Sequence, residues 1–442
     1  MSKYKIRVGI EDFVLCFAVF SIVTIAANWV WLTGDKAMAE YVPEYPTLPF
    51  TFSSTQPTKL SAEVYNVAEA IHSGRGFSDP FRDKTGPTGW TPPMLSSLMA
   101  VGLYITDGSR EKLAIVFMVF QVIALAIVGT LCLHIGRLTR SAGLMVVTMV
   151  IVFCTNFGWI FQITDDCVFL MFWVSLTVCG LWIWQFPPEK KTNLIQYGLF
   201  GGLAALAGPA AGFCWAASTV TCWGRKSWRA ILAVGVVSIA IVSPWVCYQS
   251  WRLGQFIPIK SNAGFELYQS QFVLEDGLVN QVSYPLHPYH SRTVEGHRYR
   301  EIGEQAYLAE KKTQAWDSIS QSPIVFCEKV ASRFVAATLW LHSDVRIFRE
   351  HPHFIWFRLI GMLPFIGLLG IILLADHQRD PWIKPAICCY AFYLLPYVLV
   401  SYYERYGVAV TLPRILFTFW LLRELKEKFL SRVLAGKSEA AT

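Results

Sequence analysis

Apolar residues gather into nine long runs along the chain, over 13–33, 113–135, 142–161, 168–186, 194–223, 230–248, 354–375, 383–402 and 408–422. A helix rises about 1.5 Å per residue and the hydrocarbon core of a bilayer is roughly 30 Å thick, so runs of this kind predict membrane-embedded helices. Eight read as single spans. The run 194–223 is too long for one and is interrupted by Gly208-Pro209, which predicts a hairpin of two short half-helices. The expected fold class is an all-α polytopic membrane protein with about ten membrane helices, two of them short and hairpin-like.

Polar residues between the runs set the expected topology. Arg137/Arg140, Lys190/Lys191, Arg225/Lys226/Arg229 and Arg379/Lys384 occupy short connections, and both termini are basic. Excess Lys and Arg mark the cytoplasmic side, so all of these fall there. Two long segments, 34–110 and 251–353, then emerge together on the opposite face and build one cap. The resulting divisions are a first membrane helix over 1–33, a first extracytoplasmic loop over 34–110, and central membrane helices over 111–250. A second loop over 251–353, C-terminal membrane helices over 354–424 and a cytoplasmic tail over 425–442 complete the chain.

Within the first loop, Pro43, Pro46, Pro49 and Pro57 precede a helical pattern of Ala62, Val64, Tyr65, Ala68 and Ile71. Ser61 suits its N-cap and Gly74 its stop, which predicts a short helix at the membrane surface. The apolar stretch 93–105 is too short to span and belongs in the interface. At the N-terminus, Lys3, Lys5 and Arg7 precede a first run longer than a signal-peptide core, so an uncleaved anchor is expected despite Ala37-Met38-Ala39.

Composition agrees with lipid as the solvent: 54% of residues are hydrophobic and only 16% charged, against about a quarter charged in soluble domains. Lys and Arg total 38 against 31 Asp and Glu, a net charge of +7 that membrane topology accounts for without a nucleic-acid partner. The eleven Cys form no C-x-x-C pair and read as small buried hydrophobes.

A few polar residues stand where chemistry would be done. Glu63 lies in the first turn of the surface helix, where desolvation beneath a cap would raise its pKa and suit it to accept an acceptor's proton. The alternative is an acid that complements the helix dipole. Asp165-Asp166 lie a few residues from hydrocarbon, where ionisable groups are costly. They suit a divalent cation such as Mg or Mn, or a clamp on a polar substrate, or else a solvated N-cap. Arg405 and Arg414 are nine residues apart, on nearly opposite helix faces, so at most one faces a given pocket. Arg405, at the outer edge, suits a lipid-linked phosphate, with snorkelling beside Tyr402, Tyr403 and Tyr406 as the alternative. Lys260 offers a second point charge or a solvated loop lysine. His287-x-x-His290 has metal-ligand spacing with no third ligand specified.

The block GRGFSDPFRDKTGPTGWTPP over 74–93 resembles bacterial multi-spanning proteins of the GT-C glycosyltransferase superfamily, distantly similar to aminoarabinose transferases and protein O-mannosyltransferases. YGLFGGLAALAGP over 197–209, SPWVCYQSWRLGQFIPIKSNAGFEL over 243–267 and ERY over 404–406 agree. The resemblance implies transfer of a sugar from a polyprenyl-phosphate donor to a protein, lipid or polysaccharide acceptor outside the bacterial cytoplasmic membrane. It implies an acidic first-loop catalytic group with a Tyr two positions on, matched by Glu63 and Tyr65, and a second acidic site matched by Asp165 or Asp166. Donor phosphate would meet Arg405 and Lys260, and Glu266, His287 and Arg414 would line the substrate pocket with Tyr65. The chain differs in having Ala62-Glu63 for the superfamily's Asp-Glu, with Asp35 a competitor, and Tyr248-Gln249 where relatives carry Arg-Asn. A transporter or flippase of a lipid-linked or anionic solute is the rival, but it would need charges near the bilayer midplane, where the runs hold almost none. A non-catalytic scaffold whose cap binds a partner is a second rival.

Overall fold

The computed structural model describes residues 9–29, 32, 60, 62–81, 84–162, 166–184, 187, 190–273, 275–279, 287–289, 293–339, 354–374 and 380–439. Asp35, Ser61, Asp165 and His290, singled out above, lie outside them. Among the described residues the chain is helical, with two isolated β-bridges. The helices are α1 (Ile10–Ala27), α2 (Ala62–His72), α3 (Pro93–Ile105), α4 (Arg110–Leu138), α5 (Ala142–Thr155), α6 (Asp166–Ile183), α7 (Lys191–Ala207) and α8 (Pro209–Trp223). They continue with α9 (Trp228–Leu253), α10 (Ala263–Tyr268), α11 (Val294–Gln321), α12 (Pro323–Leu339), α13 (Phe354–Gly361), α14 (Leu363–Leu374), α15 (Ile383–Leu399) and α16 (Thr411–Glu439).

Four of these, α1, α4, α6 and α9, are long and apolar enough to cross a membrane, which fits a polytopic α-helical membrane protein. The expected count of about ten spans is not met among the described residues. Hydropathy read the length of each apolar run as the length of a helix, and the backbone breaks several runs. The run 142–161 stops at Thr155 and turns through Gly158–Gln162. The run 354–375 divides at Met362, next to Pro364, into α13 and α14, and α15 has 17 residues with Pro396 in its last turn. Residues Glu404–Val410 form a tight 3-10 turn before α16, which continues unbroken past 425, where a tail was expected.

Burial separates core from periphery. Leu412, Ile415, Leu416, Phe417 and Phe419 of α16 are wholly buried, making it a central helix. In α1 only Asp12, Cys16, Phe20 and Thr24 are buried, a single stripe at fourfold spacing that faces α4, while Val14, Leu15 and Ile22 point outward. Gly198 and Gly202 let α7 pack closely on α9: a methyl at these positions would lie 2.7 Å from Val237 Cβ and 2.6 Å from Ile241 Cβ. Cations tie the ends of helices, one exposed and one buried. Arg137 grips Asp12 with both guanidinium nitrogens, joining α4 to α1. Arg333 donates to the terminal carbonyls of α15, Val398 O at 2.7 Å and Leu399 O at 3.2 Å, satisfying acceptors that the helix itself leaves open.

The two long polar segments meet at the C-terminal end of α9. Gln249 Nε2 donates to Thr88 O at 2.9 Å, Arg252 Nη2 to Arg75 O at 3.2 Å, and Ser261 N to Gly89 O at 2.7 Å. Phe81 and Trp90 from the first segment pack with Phe265, Tyr299 and Tyr307 from the second in a separate aromatic core. At its centre is the carboxylate of Glu304, 5% exposed. It accepts from Thr88 Oγ1, from Gly89 N, Ser261 Oγ and Tyr299 Oη at 2.8 Å each, and more weakly from Gln305 Nε2 at 3.4 Å. Gly303 makes this geometry available. Its φ of 77° breaks the helical path inside α11, a conformation that side-chain-bearing residues rarely adopt.

Candidate functional site

Glu63 sits in the first turn of α2, whose face of Val64, Tyr65, Val67, Ala68 and Ala70 is buried, chiefly against α3. A chain reversal stops the helix: Arg75 N donates to Ala70 O at 2.9 Å while Gly74 adopts φ 79°. The following loop is held by Asp79, whose carboxylate pairs with Arg75 at 2.8 Å and accepts from Thr85 N and Gly86 N. That loop presents Phe81 and Trp90 to the second segment.

His287, from the second segment, reaches Glu63: Nε2 lies 3.1 Å from Oε1. Its other nitrogen, Nδ1, accepts from Tyr289 N at 3.1 Å, so in this arrangement the proton is on Nε2 and the imidazole donates to the carboxylate. Phe81, Trp90 and Phe265 pack against the imidazole in near-perpendicular arrangements at 5.6, 5.6 and 5.2 Å between ring centroids. Packing of this kind fixes the ring where a hydrogen bond alone would let it swing.

Two cations face the same carboxylate. Lys260 and Arg405 both lie within electrostatic reach of Glu63. Lys260 is held on either side in sequence, by Trp245 Nε1 donating to Ile259 O at 3.1 Å and by the anchored Ser261. Arg405, in the turn before α16, lies over the rings of Tyr403 and Tyr406 at 5.3 and 5.5 Å. Burial raises the Glu63 carboxyl's pKa, but the hydrogen bond from His287 and the charges of Lys260 and Arg405 outweigh it and hold the pKa below the ordinary carboxylate value. The sequence-based expectation of a raised pKa is therefore corrected. Desolvation is present, but the surrounding donors and cations are stronger.

A second acidic group adjoins this one. Tyr406 stacks on Tyr397 at 4.2 Å, and Tyr397 Oη lies 3.4 Å from Tyr393 Oη. Asp166, the first residue of α6, and Glu266, on α10, are both within electrostatic reach of Tyr397 and Tyr406. Glu266 accepts from Asn262 Nδ2 at 3.1 Å. Tyr406 thus stands among Asp166, Glu266 and Arg405, and Arg405 connects this group to Glu63. Among the described residues no three His, Cys, Asp or Glu side chains are grouped to hold a metal ion.

Two expected pocket residues lie elsewhere. Tyr65 is about 200° around α2 from Glu63, so the two point away from each other, and Arg110 sits 4.3 Å above the Tyr65 ring. Arg414 is 1% exposed and donates to Gly407 O and Ala337 O, both at 2.9 Å, pinning the turn before α16 to the end of α12. Glu304 and Tyr397 were not singled out from the sequence. The isolated Gly303 inside a helical pattern was the signal that would have drawn attention to the first.

Among the described residues, the fold and site define an all-helical chain with four potential membrane-crossing helices and a polar cluster at the junction of two cap segments. No family model, curated protein or solved structure matches the chain.

Proposed function

We propose that the chain is a GT-C-type glycosyltransferase of the bacterial cytoplasmic membrane, moving a sugar from a polyprenyl-phosphate donor to an acceptor hydroxyl on the extracytoplasmic side. One observation carries this reading: a partly buried carboxylate, Glu63, hydrogen-bonded by His287 and faced by both Lys260 and Arg405. Carboxylate and cations at one site are what a single displacement requires. The acceptor oxygen attacks the anomeric carbon as its proton passes to Glu63. The bond from that carbon to the phosphate oxygen breaks, and polyprenyl phosphate leaves with the electron pair. Attack opposite the leaving group inverts the anomeric centre.

Arg405 and Lys260 stabilise the charge gathering on the departing phosphate, an effect worth roughly 3 kcal/mol per preorganised donor. His287 orients Glu63 and keeps it ionised, which makes it a ready proton acceptor of modest basicity. Asp166 and Glu266 would orient the acceptor. With Asp165, Asp166 would also supply hard oxygen ligands for a divalent cation such as Mg or Mn, which would steady phosphate charge. The charges gather at the end of α9, beside the cap, and this favours surface chemistry over transport through the bundle.

Turnover of radiolabelled polyprenyl-phosphate sugars in proteoliposomes tests the proposal. Glu63→Gln is expected to lower transfer about 100-fold, the lower end for general-base catalysis because the carboxyl pKa is depressed. Transfer at the wild-type rate in Glu63→Gln would remove this residue from the mechanism.

A further inference from the structure

The end of the bundle remote from the cap carries a groove that the transferase reading does not use. It is an apolar cleft of about 550 Å³ where α8 ends and α9 begins, lined chiefly by Val220, Gly224, Arg225, Trp228, Ile231 and Leu232. Its volume falls in the range of small-molecule sites, about 300 to 1,000 Å³. The other end of α9 carries Gln249 and Arg252, which bond to the first cap segment. The 26 residues between the two ends extend about 39 Å at 1.5 Å per residue, close to a bilayer with its headgroups. The groove therefore opens at the opposite membrane surface from Glu63.

Charge at this end is mostly positive, although Glu189 directly precedes Lys190 and Asp380, held by Arg423, lies four residues before Lys384. From 190 to 265 the sequence has no Asp or Glu, whereas Lys190, Lys191, Arg225, Lys226 and Arg229 all fall where α7 starts, α8 stops and α9 starts. Trp223 Nε1 donates to Trp184 O at 2.9 Å, tying the end of α8 to the residue after α6, and Lys384 of α15 adds a cation by donating to Cys222 O at 3.2 Å. Arg225 and Arg229 are exposed. The outer face of α9 continues the apolar wall through Val236 and Ile239, which are also exposed. A ligand that fits must be apolar along its length and negative at its head. A zwitterionic headgroup would leave this cationic rim uncompensated.

We propose that the groove binds an anionic phospholipid, with an acyl chain along Val220, Ile231 and Leu232 and the phosphate met by Arg225 and Arg229. The inference rests on the chain spanning a membrane and not on sugar transfer, so either proposal can fail alone.

The test uses the full-length protein in nanodiscs of mixed phosphatidylglycerol and phosphatidylcholine, extracted into mild detergent, with retained lipid identified by mass spectrometry. Wild type is expected to retain phosphatidylglycerol selectively. The double variant Arg225→Gln/Arg229→Gln should lose about 30-fold in that preference, from roughly fivefold per cation near an anionic headgroup. Leu232→Trp, which fills the groove without altering charge, should also release the lipid, whereas Lys312→Gln on the cap should retain it. Equal retention of both lipids by wild type would overturn the proposal. So would unchanged retention in both groove variants, or a groove occupied by a second copy of the chain.

Discussion

Replacing Glu304 by Ala should open the cap while leaving the membrane bundle intact. The carboxylate is the acceptor shared by Thr88 and Gly89 from one segment and Ser261 and Tyr299 from the other. A hydrogen bond to a charged group contributes about 1.5–3 kcal/mol, but summing these bonds would neglect the cost of burying the carboxylate. That cost is visible in its pKa, which burial pushes above the ordinary value even though the same donors pull it down. Leaving the donors buried without their acceptor should cost about 1–3 kcal/mol for each that finds no new partner, several kcal/mol in all. This is enough to open locally a unit whose stability is a fraction of the whole. Glu304→Gln keeps one carbonyl oxygen, and the Thr88 and Tyr299 hydroxyls can turn to accept from its amide, so its cost should be nearer 1–2 kcal/mol. Hydrogen exchange read by mass spectrometry over 77–92 and 254–273 measures both variants. Protection in Glu304→Ala equal to wild type would refute the assignment of Glu304 as the fastening between the segments.

Because the folded-state pKa of Glu304 is raised, the folded cap binds that proton more tightly than the unfolded chain does. Its contribution is complete below the unfolded carboxyl value, about 4.3, and declines as pH rises through the folded value. Exchange over 77–92 should therefore slow in mildly acid buffer after correction for intrinsic rates. Glu63 has the opposite sign: its depressed pKa stabilises the fold above about pH 4.3, and this is lost as pH falls through the folded value. His287→Ala removes the principal group holding that pKa down, so the acid limb of any transfer activity should move to higher pH, as a pH-rate profile would show. Gly303→Ala must hold a side chain at φ 77°, ψ 165°, a region essentially confined to glycine, at a cost of about 1–3 kcal/mol, detectable as increased exchange over the same cap peptides. Gly198→Leu should drive α7 from α9 and lower the thermal midpoint in detergent by several degrees, whereas Ile239→Leu on the outer face of α9 should not.

The fold was legible where local chemistry decides it. The surface helix ending before Gly74 and the turn at Gly208-Pro209 follow from conformations those residues impose. Span number was less legible, since apolar content does not reveal where backbone breaks divide a run, as at Met362. Glu63 stands out in sequence in the first turn of its helix, His287 by its spacing to His290, and Lys260 and Arg405 as cations at the outer edge; the structure bonds His287 to Glu63 and leaves both cations within its electrostatic reach. Arg414 stands out for the same reason, yet it is consumed by the carbonyls of Gly407 and Ala337. A basic residue near a membrane edge serves a ligand or a helix end equally well, and only three-dimensional contacts separate the two. The pKa direction of Glu63 was illegible because burial is a local property, whereas the opposing cations come from 197 and 342 residues away in sequence.

In the proposed transferase, the two cap segments and the turn before α16 deliver a carboxylate and a cation to one reacting centre. A double-mutant cycle on sugar transfer tests it most directly, comparing Glu63→Gln, Arg405→Gln and the pair in proteoliposomes of equal protein content. Groups acting on the same transition state should couple by about 0.5–3 kcal/mol, so the pair should lose clearly less than the product of the single losses. Strictly multiplicative losses, or single variants that transfer at the wild-type rate, would contradict it.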